Sequence, residues 1–345
     1  MRIPSHATRI ARWLAVALAV AAICGPFLSP NSPEAQNLPA FFSPPTRIHF
    51  VDASGRFHWR AFVYRSELKD PLEGSYAERT ETRYPLSFFG RGWNYEFLGM
   101  MPSSRHLVLV DSGAQLFLFG ADDLGRDVLA RVLAGARTSL VIVLLGILAY
   151  GLLGFIIGAA AATSGGWSDA LLMRFSEFVL ALPALYLILA LRALLPQKLH
   201  YWQTVFLTVG TIAAVSWPPM ARGIRGMILQ LKGAGYVEAA RSMGSTPVGI
   251  FVRHILPAIT PLALTQTAVA APLFILGEVV LSYLGVGFHD ADDSWGAMLQ
   301  LAKDPRVLTD FQWNLAPLGF VFVTLLCLNL LSGEPNERSL RRTTL

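Results

Sequence analysis

The chain has 345 residues, 53% of them hydrophobic and only 15% charged, with a mean hydropathy of +0.47, which excludes a water-soluble domain of this length. The formal charge of +5 comes from Lys and Arg scattered between apolar runs rather than gathered in one stripe, which argues against nucleic acid as a partner and for a lipid bilayer. The two cysteines, Cys24 and Cys327, lie far apart inside apolar runs, so neither a disulfide framework nor a metal site is suggested.

In chain order, a short basic terminus, residues 1–12, carries Arg2, Arg9 and Arg12 ahead of the first candidate span, Trp13–Leu28. Such a segment can also be read as a signal peptide, but Ile23 stands where a cut before Cys24 requires a small residue, which favours an anchor. A long polar stretch follows, residues 29–137. Alternating segments at Arg47–Val51 and Arg56–Val63 flank Asp52-Ala53-Ser54-Gly55, a hairpin signal, and Tyr84–Phe88, Leu107–Val110 and Leu116–Phe119 also read as strands. Pro30, Pro33, Pro39, Pro44 and Pro45 keep the entry to this stretch extended or irregular.

Residues 138–331 hold five more apolar runs, at Thr138–Thr163, Phe175–Leu195, Trp202–Met220, Ile259–Leu284 and Leu315–Leu331. Each is long enough to cross a hydrocarbon core of about 30 Å at a helical rise of about 1.5 Å per residue. Lys and Arg in short loops mark the cytoplasmic side. Arg222, Arg225, Lys232, Arg241 and Arg253 fall in one connection, residues 222–257, and Arg338, Arg341 and Arg342 in the tail, residues 332–345. The last connection instead carries Asp290, Asp292, Asp293, Asp304 and Asp310. The expected fold is an all-α polytopic membrane protein of six transmembrane helices, both termini cytoplasmic, with a small β-rich periplasmic insertion between helices one and two.

Catalytic signatures are missing: there is no G-x-x-x-x-G-K-[ST] phosphate loop, no H-E-x-x-H, no G-x-S-x-G and no Cys/His cluster. The chain is therefore expected to be no enzyme and to hold no cofactor, so energy for active transport would come from elsewhere. The informative stretch runs from Gly235 to Pro257. Tyr236–Met243 can form a short helix, Gly244 can take the positive φ that ends it, and Thr246-Pro247 can start a second one by N-cap and N1 chemistry. Two short helices at a sharp turn make a protruding knob. Ala239 and Ala240 keep its surface small enough for a partner's groove to approach closely, while Glu238 and Arg241 offer charged rim contacts.

This stretch resembles the signature loop of binding-protein-dependent ABC importer permeases, E-A-A-x-x-x-G followed, with nine residues between, by I-x-L-P. Glu238-Ala239-Ala240, Gly244, Leu256 and Pro257 match in order and spacing, and His254 takes the usual Ile position, similar to the Arg-His-Ile-Leu-Pro variant of the peptide and nickel branch. Phe119–Arg131 with Gly135–Leu140, Leu281–Gly287 and Ser294–Leu299 resemble the C-type permease of dipeptide, oligopeptide and nickel systems. Departures are Ala258 in place of the common Asn, a longer stretch before Phe119, and a tail without the Gly-Asp-Gly-Leu-Arg-Asp pattern. The resemblance implies a type I importer-like permease that pairs with a second permease subunit as a heterodimer. It also implies cytoplasmic ATPase subunits that bind the ATP and Mg, a periplasmic solute-binding protein, and peptide-like or nickel cargo in a bacterial inner membrane. Tyr236, Glu238, Ala239, Ala240, Arg241, Gly244, Pro247, His254, Leu256 and Pro257 would form the ATPase-coupling loop.

Several residues carry two readings. Glu278, an ionisable group inside a span, either lines the translocation path or pins one helix to its neighbour. Gly154 and Gly158 form a G-x-x-x-G pattern that favours close helix packing. Pro183 and Pro272 interrupt spans as simple kinks or as hinges of a gate. Arg192 is expected to snorkel from the end of its span. Asp122, Asp123, Arg126 and Asp127 serve either as contacts for a partner or as a helix start at the membrane surface. The rival from another class is a secondary transporter driven by ion gradients, which requires paired carboxylates near the midplane; only Glu278 is a candidate.

Overall fold

Long apolar runs fold as helices because a helix satisfies its backbone donors and acceptors internally, and two of their breaks fall at proline. The computed structural model describes residues 5–70, 74–97, 100–111, 113–196, 199–289 and 292–332. The helices are α1 (Ser5–Ile23), α2 (Gly25–Leu28), α3 (Val128–Ser164), α4 (Gly166–Ala181), α5 (Ala184–Ala193), α6 (Tyr201–Ser216), α7 (Pro218–Lys232), α8 (Gly235–Ser242), α9 (Pro247–Ile250), α10 (Leu256–Tyr283), α11 (Trp295–Met298), α12 (Pro305–Thr309) and α13 (Ala316–Ser332). Among the described residues four helical stretches are long and apolar enough to cross a membrane: His6–Ile23, Val128–Ser164, Pro247–Tyr283 and Gln312–Ser332. The bent pairs α4–α5 and α6–α7 raise the number to six if each is one span.

The first bend falls at Pro183, which was expected to interrupt its span, whereas the second breaks a run, Trp202–Met220, that was expected to be a single helix. The α4–α5 bend is 94°. Leu182, pushed into the extended region by the proline after it, ends α4, and Pro183 caps α5. At the 51° bend between α6 and α7, Pro218 and Pro219 occupy the first positions of α7, where a missing N–H does no harm. By contrast, α10 runs on through Pro261 and Pro272. Arg192 does not snorkel. It is fully buried and donates from Nη1 to the Pro196 carbonyl at 2.9 Å, closing the end of α5 where a cation also suits the helix dipole.

The chain divides into two units. One holds Val141–Glu278 with segments from the two chain ends. In it α3 packs closely on α7: a Cβ on Gly154 would overlap the Met220 side chain, and one on Gly158 would overlap the Ala221 carbonyl oxygen. The G-x-x-x-G pattern thus removes side chains where the two backbones meet.

The other unit holds Trp13–Leu140 and Val279–Thr324. Strands β1 (His49–Val51), β2 (Phe57–Asp70), β3 (Ser75–Phe88), β4 (Arg91–Phe97), β5 (Met101–Arg105) and β6 (Val108–Val110) form an antiparallel sheet of order β1-β2-β3-β6 and a β4-β5 ribbon. The turn into β2 is held by Asp52, whose carboxylate accepts the Ser54 hydroxyl at 2.6 Å and the Arg56 N–H at 3.0 Å. The Ser54 hydroxyl, followed by His58, holds that carboxyl well below the usual carboxylate range. β2 and β3 extend beyond the expected Val63 and Tyr84 limits because cross-strand ion pairs such as Arg79–Glu67, at 2.6 Å, let charged alternation continue the ribbon. Leu116–Phe119 forms no strand. Leu116 fills the core beside Val63 and Leu86, and the Phe117 backbone bonds to both the backbone and hydroxyl of Thr46.

His106 ties this sheet to the end of α2. Its ring is buried, with Nδ1 2.9 Å from the Pro26 carbonyl and 3.0 Å from that of Ser29, and Nε2 2.9 Å from that of Trp93. His106→Leu strands these acceptors, at about 1–3 kcal/mol for each buried group left unsatisfied. Limited proteolysis is expected to cut the variant within residues 89–110 under conditions that leave the wild type whole; equal resistance would show that the tie is dispensable.

A buried ion cluster knits the outer elements. Asp122 Oδ2 accepts Arg126 Nε and Arg131 Nη1, both at 2.7 Å, and Arg131 Nε donates to Asp293 at 3.2 Å. Trp295 Nε1 donates to the Val132 carbonyl at 2.9 Å. Removing one partner of such a buried pair costs about 3–5 kcal/mol. Asp127 starts α3, accepting the Leu129 N–H and the Asn31 amide. Burial pushes its carboxyl up to about 6, against those hydrogen bonds. The folded chain therefore holds this proton more tightly than the unfolded one, and the contribution present at lower pH is lost as pH rises through about 6. Melting in detergent is expected to show the wild type losing on the order of 1–2 kcal/mol relative to Asp127→Asn between about pH 5 and about pH 7; parallel pH profiles would refute this.

Candidate functional site

The knob is built by local chemistry at each of its corners. α8 carries Glu238 in its first turn and Arg241 in its last, the arrangement the helix dipole favours. Gly244 ends it at φ +81°. The Gly244 N–H donates to the Arg241 carbonyl at 3.0 Å and the Ser245 N–H to that of Ala240 at 3.1 Å, so the last turn closes on itself. Thr246 then caps α9, its hydroxyl accepting the Gly249 N–H at 3.1 Å, with Pro247 at the first helical position. A π-helical turn, Phe251–Ile255, carries the chain without interruption into α10.

The inner side of the knob is apolar: Val237, Ala240, Ile250 and Ile255 are all buried. Ala240 therefore does not keep the outer surface small, as expected from its neighbour; one helical step turns it inward and leaves Ala239 exposed. His254 lies partly buried, its ring centroid 6.1 Å from that of Tyr236. This contact spans the two arms of the turn. Leu256 opens α10, with Pro257 exposed beside it. Glu238, Arg241, Gly244 and Pro247 are exposed.

Two exposed residues were not singled out by sequence reasoning. Met243 and Val248 are 79% and 72% exposed and flank the Gly244 turn. Unbranched Met adapts to an irregular contact surface, and an apolar tip with a charged rim matches the anatomy of a protein interface. The signal was present, since the turn chemistry leaves both residues at the apex of the two short helices.

The remaining candidates do not join the knob. Glu278 is fully buried in α10, 21 residues beyond Pro257, or about 30 Å along the helix. Gly154 and Gly158 lie at the α3–α7 contact, Pro183 at the α4–α5 break and Pro272 inside α10. The tail, residues 333–345, and Asp290 lie outside the described residues.

Residues 152–333 match the family model described as binding-protein-dependent transport system inner membrane component. The chain belongs to this family. The resemblance read from Glu238–Pro257 therefore holds for a segment that covers the last third of α3 and everything from α4 to α13, while the strands lie outside it. Relatives of this inner membrane component include a Brucella ovis protein named as a peptide permease, 35% identical over 214 residues, which make up 62% of this chain and 69% of that protein. The oligopeptide transport system permease protein OppC of Bacillus subtilis is 34% identical over 214 residues, 61% of this chain and 67% of OppC. Its Escherichia coli K12 namesake is 33% identical over 227 residues, 64% of this chain and 72% of that one.

Proposed function

We propose that this chain is the transmembrane permease subunit of an ATP-driven importer for peptides or peptide-like solutes, and that a separate ATPase docks on Gly235–Pro257. The observation that carries the docking reading is the knob itself, a turn locked by Gly244 and Thr246 that holds Met243 and Val248 outward beside Glu238 and Arg241. The names of the relatives support peptide cargo. In this reading each bent helix pair is one span, giving six in a bacterial inner membrane. Residues 29–137 are then periplasmic, and both termini and the knob are cytoplasmic. A second permease completes the pore as a heterodimer, a periplasmic solute-binding protein delivers cargo, and ATP and Mg sit on the ATPase subunits, so this chain carries no catalysis of its own. Closure of the ATPases on ATP pushes the knob and turns the pore from inward- to outward-facing. Buried Glu278 serves helix packing.

Uptake of a labelled tetrapeptide by cells expressing the whole system tests the reading against the gradient-driven rival. Uptake is expected to stop when ATP is depleted and to continue when ionophores collapse the ion gradients with ATP maintained. The reverse pattern would sink it.

A further inference from the structure

Three contacts fasten α7 to the elements before it. Near its start, Gly154 and Gly158 of α3 leave no side chain between that helix and the Met220–Ile224 stretch of α7. One turn on, Arg225 holds Asp169 of α4 with two parallel bonds, Nε to Oδ1 at 2.5 Å and Nη2 to Oδ2 at 2.6 Å. At its last residue, Lys232 Nζ donates to the Ala162 carbonyl at 2.6 Å, a cation on the carbonyl end of α3. Met220, Ala221, Ile224 and Ile228 line one buried stripe of α7. The connection from α3 to α4 runs through Gly165 and Gly166, both at positive φ. Such a link is too permissive to hold α4 in place by itself.

These observations differ in kind. Close backbone packing resists separation but tolerates small sliding. A two-pronged guanidinium–carboxylate contact fixes direction as well as distance, and a lysine cannot reproduce it. Arg225 and Asp169 are partly buried, with side chains 31% and 17% exposed, so water screens them less than a surface pair. α7 also leads, two residues after Lys232, into α8 and the knob.

We propose that Arg225 and Asp169 are positioning residues that weld α4 to α7, so that α7, the end of α3 and α4 up to the break before Pro183 move as one body when the knob is pushed. The proposal rests on the coupling reading above. It specifies which helices receive the push and which side chains pass it to α4.

The test uses the complete transporter, with peptide uptake, ATP hydrolysis and recovery of the ATPase subunits with this chain as separate readouts. Asp169→Arg and Arg225→Asp alone are expected to lower uptake by about tenfold or more while the ATPase subunits still co-purify and hydrolyse ATP. The double exchange returns uptake to within about threefold of wild type. In a Cys24→Ser, Cys327→Ser background, Asp169→Cys with Arg225→Cys is impaired until a short bifunctional thiol reagent joins the two positions, which restores uptake. Undiminished uptake in the single variants, or a joined pair no better than the unjoined one, would overturn the weld. The coupling reading fails on a different readout: a wild-type chain that brings down no ATPase.

Discussion

Gly244→Pro is expected to lower uptake by on the order of a hundredfold and to leave the chain inserted in the membrane. Gly244 sits at φ +81°, whereas proline is locked near −65° and has no N–H. The substitution therefore removes the bond to the Arg241 carbonyl and forbids the turn between α8 and α9 together. The contacts of the spans are untouched, since a Cβ at Gly244 meets nothing within 4 Å. That open space makes a graded series possible. Gly244→Ala carries only the cost of a left-handed backbone, about 1–2 kcal/mol, and is expected to keep measurable uptake. Glu238→Arg leaves the turn intact and reverses a rim charge, so it should weaken ATPase recovery without changing the knob's shape. Uptake of labelled peptide and co-purification of the ATPase read both effects. Wild-type transport by Gly244→Pro would remove the knob from the mechanism.

Gly158→Leu is expected to yield little folded protein. A Cβ there would overlap a backbone carbonyl oxygen, that of Ala221, which cannot rotate away as a side-chain tip can. Overpacking costs about 1–3 kcal/mol where side chains can shift, and more is expected here because α3 and α7 must separate along their contact. Gly210→Leu supplies the control, since that helical glycine has nothing within 4 Å of its Cβ position. The monodisperse fraction in detergent and the melting temperature of the two variants should differ sharply. Similar behaviour would mean that the helices are not closely packed at Gly158.

What could be read in advance follows from where the information resides. The knob was legible because Gly244, Thr246 and Pro247 each force a local backbone choice that no distant contact is needed to make. The inward turn of Ala240 was not, because the phase of a helix is set by what it packs against. Hydropathy hid the break at Pro218: side chains count as apolar there, while the missing N–H groups of two adjacent prolines do not enter such a scale. β2 and β3 ran past their expected ends because Arg79 and Glu67 look like loop residues until a partner strand pairs them. Arg192 has a stem long enough to reach water, yet the Pro196 carbonyl was closer. The Arg225–Asp169 pair, 56 positions apart, has no sequence signature at all.

The continuity of α9, the π-helical turn and α10 has a mechanical consequence. Pro247–Tyr283 is one run of 37 residues, about 55 Å long at about 1.5 Å per residue. The helical path continues unbroken from α9 through the π-helical turn and past Pro261 and Pro272. A tilt of about 5° at one end sweeps the other by about 5 Å over that length, nearly the width of a helix backbone. Under the docking reading proposed above, a small tilt at the knob is therefore expected to reach the far end of the run enlarged to the size of a helix backbone.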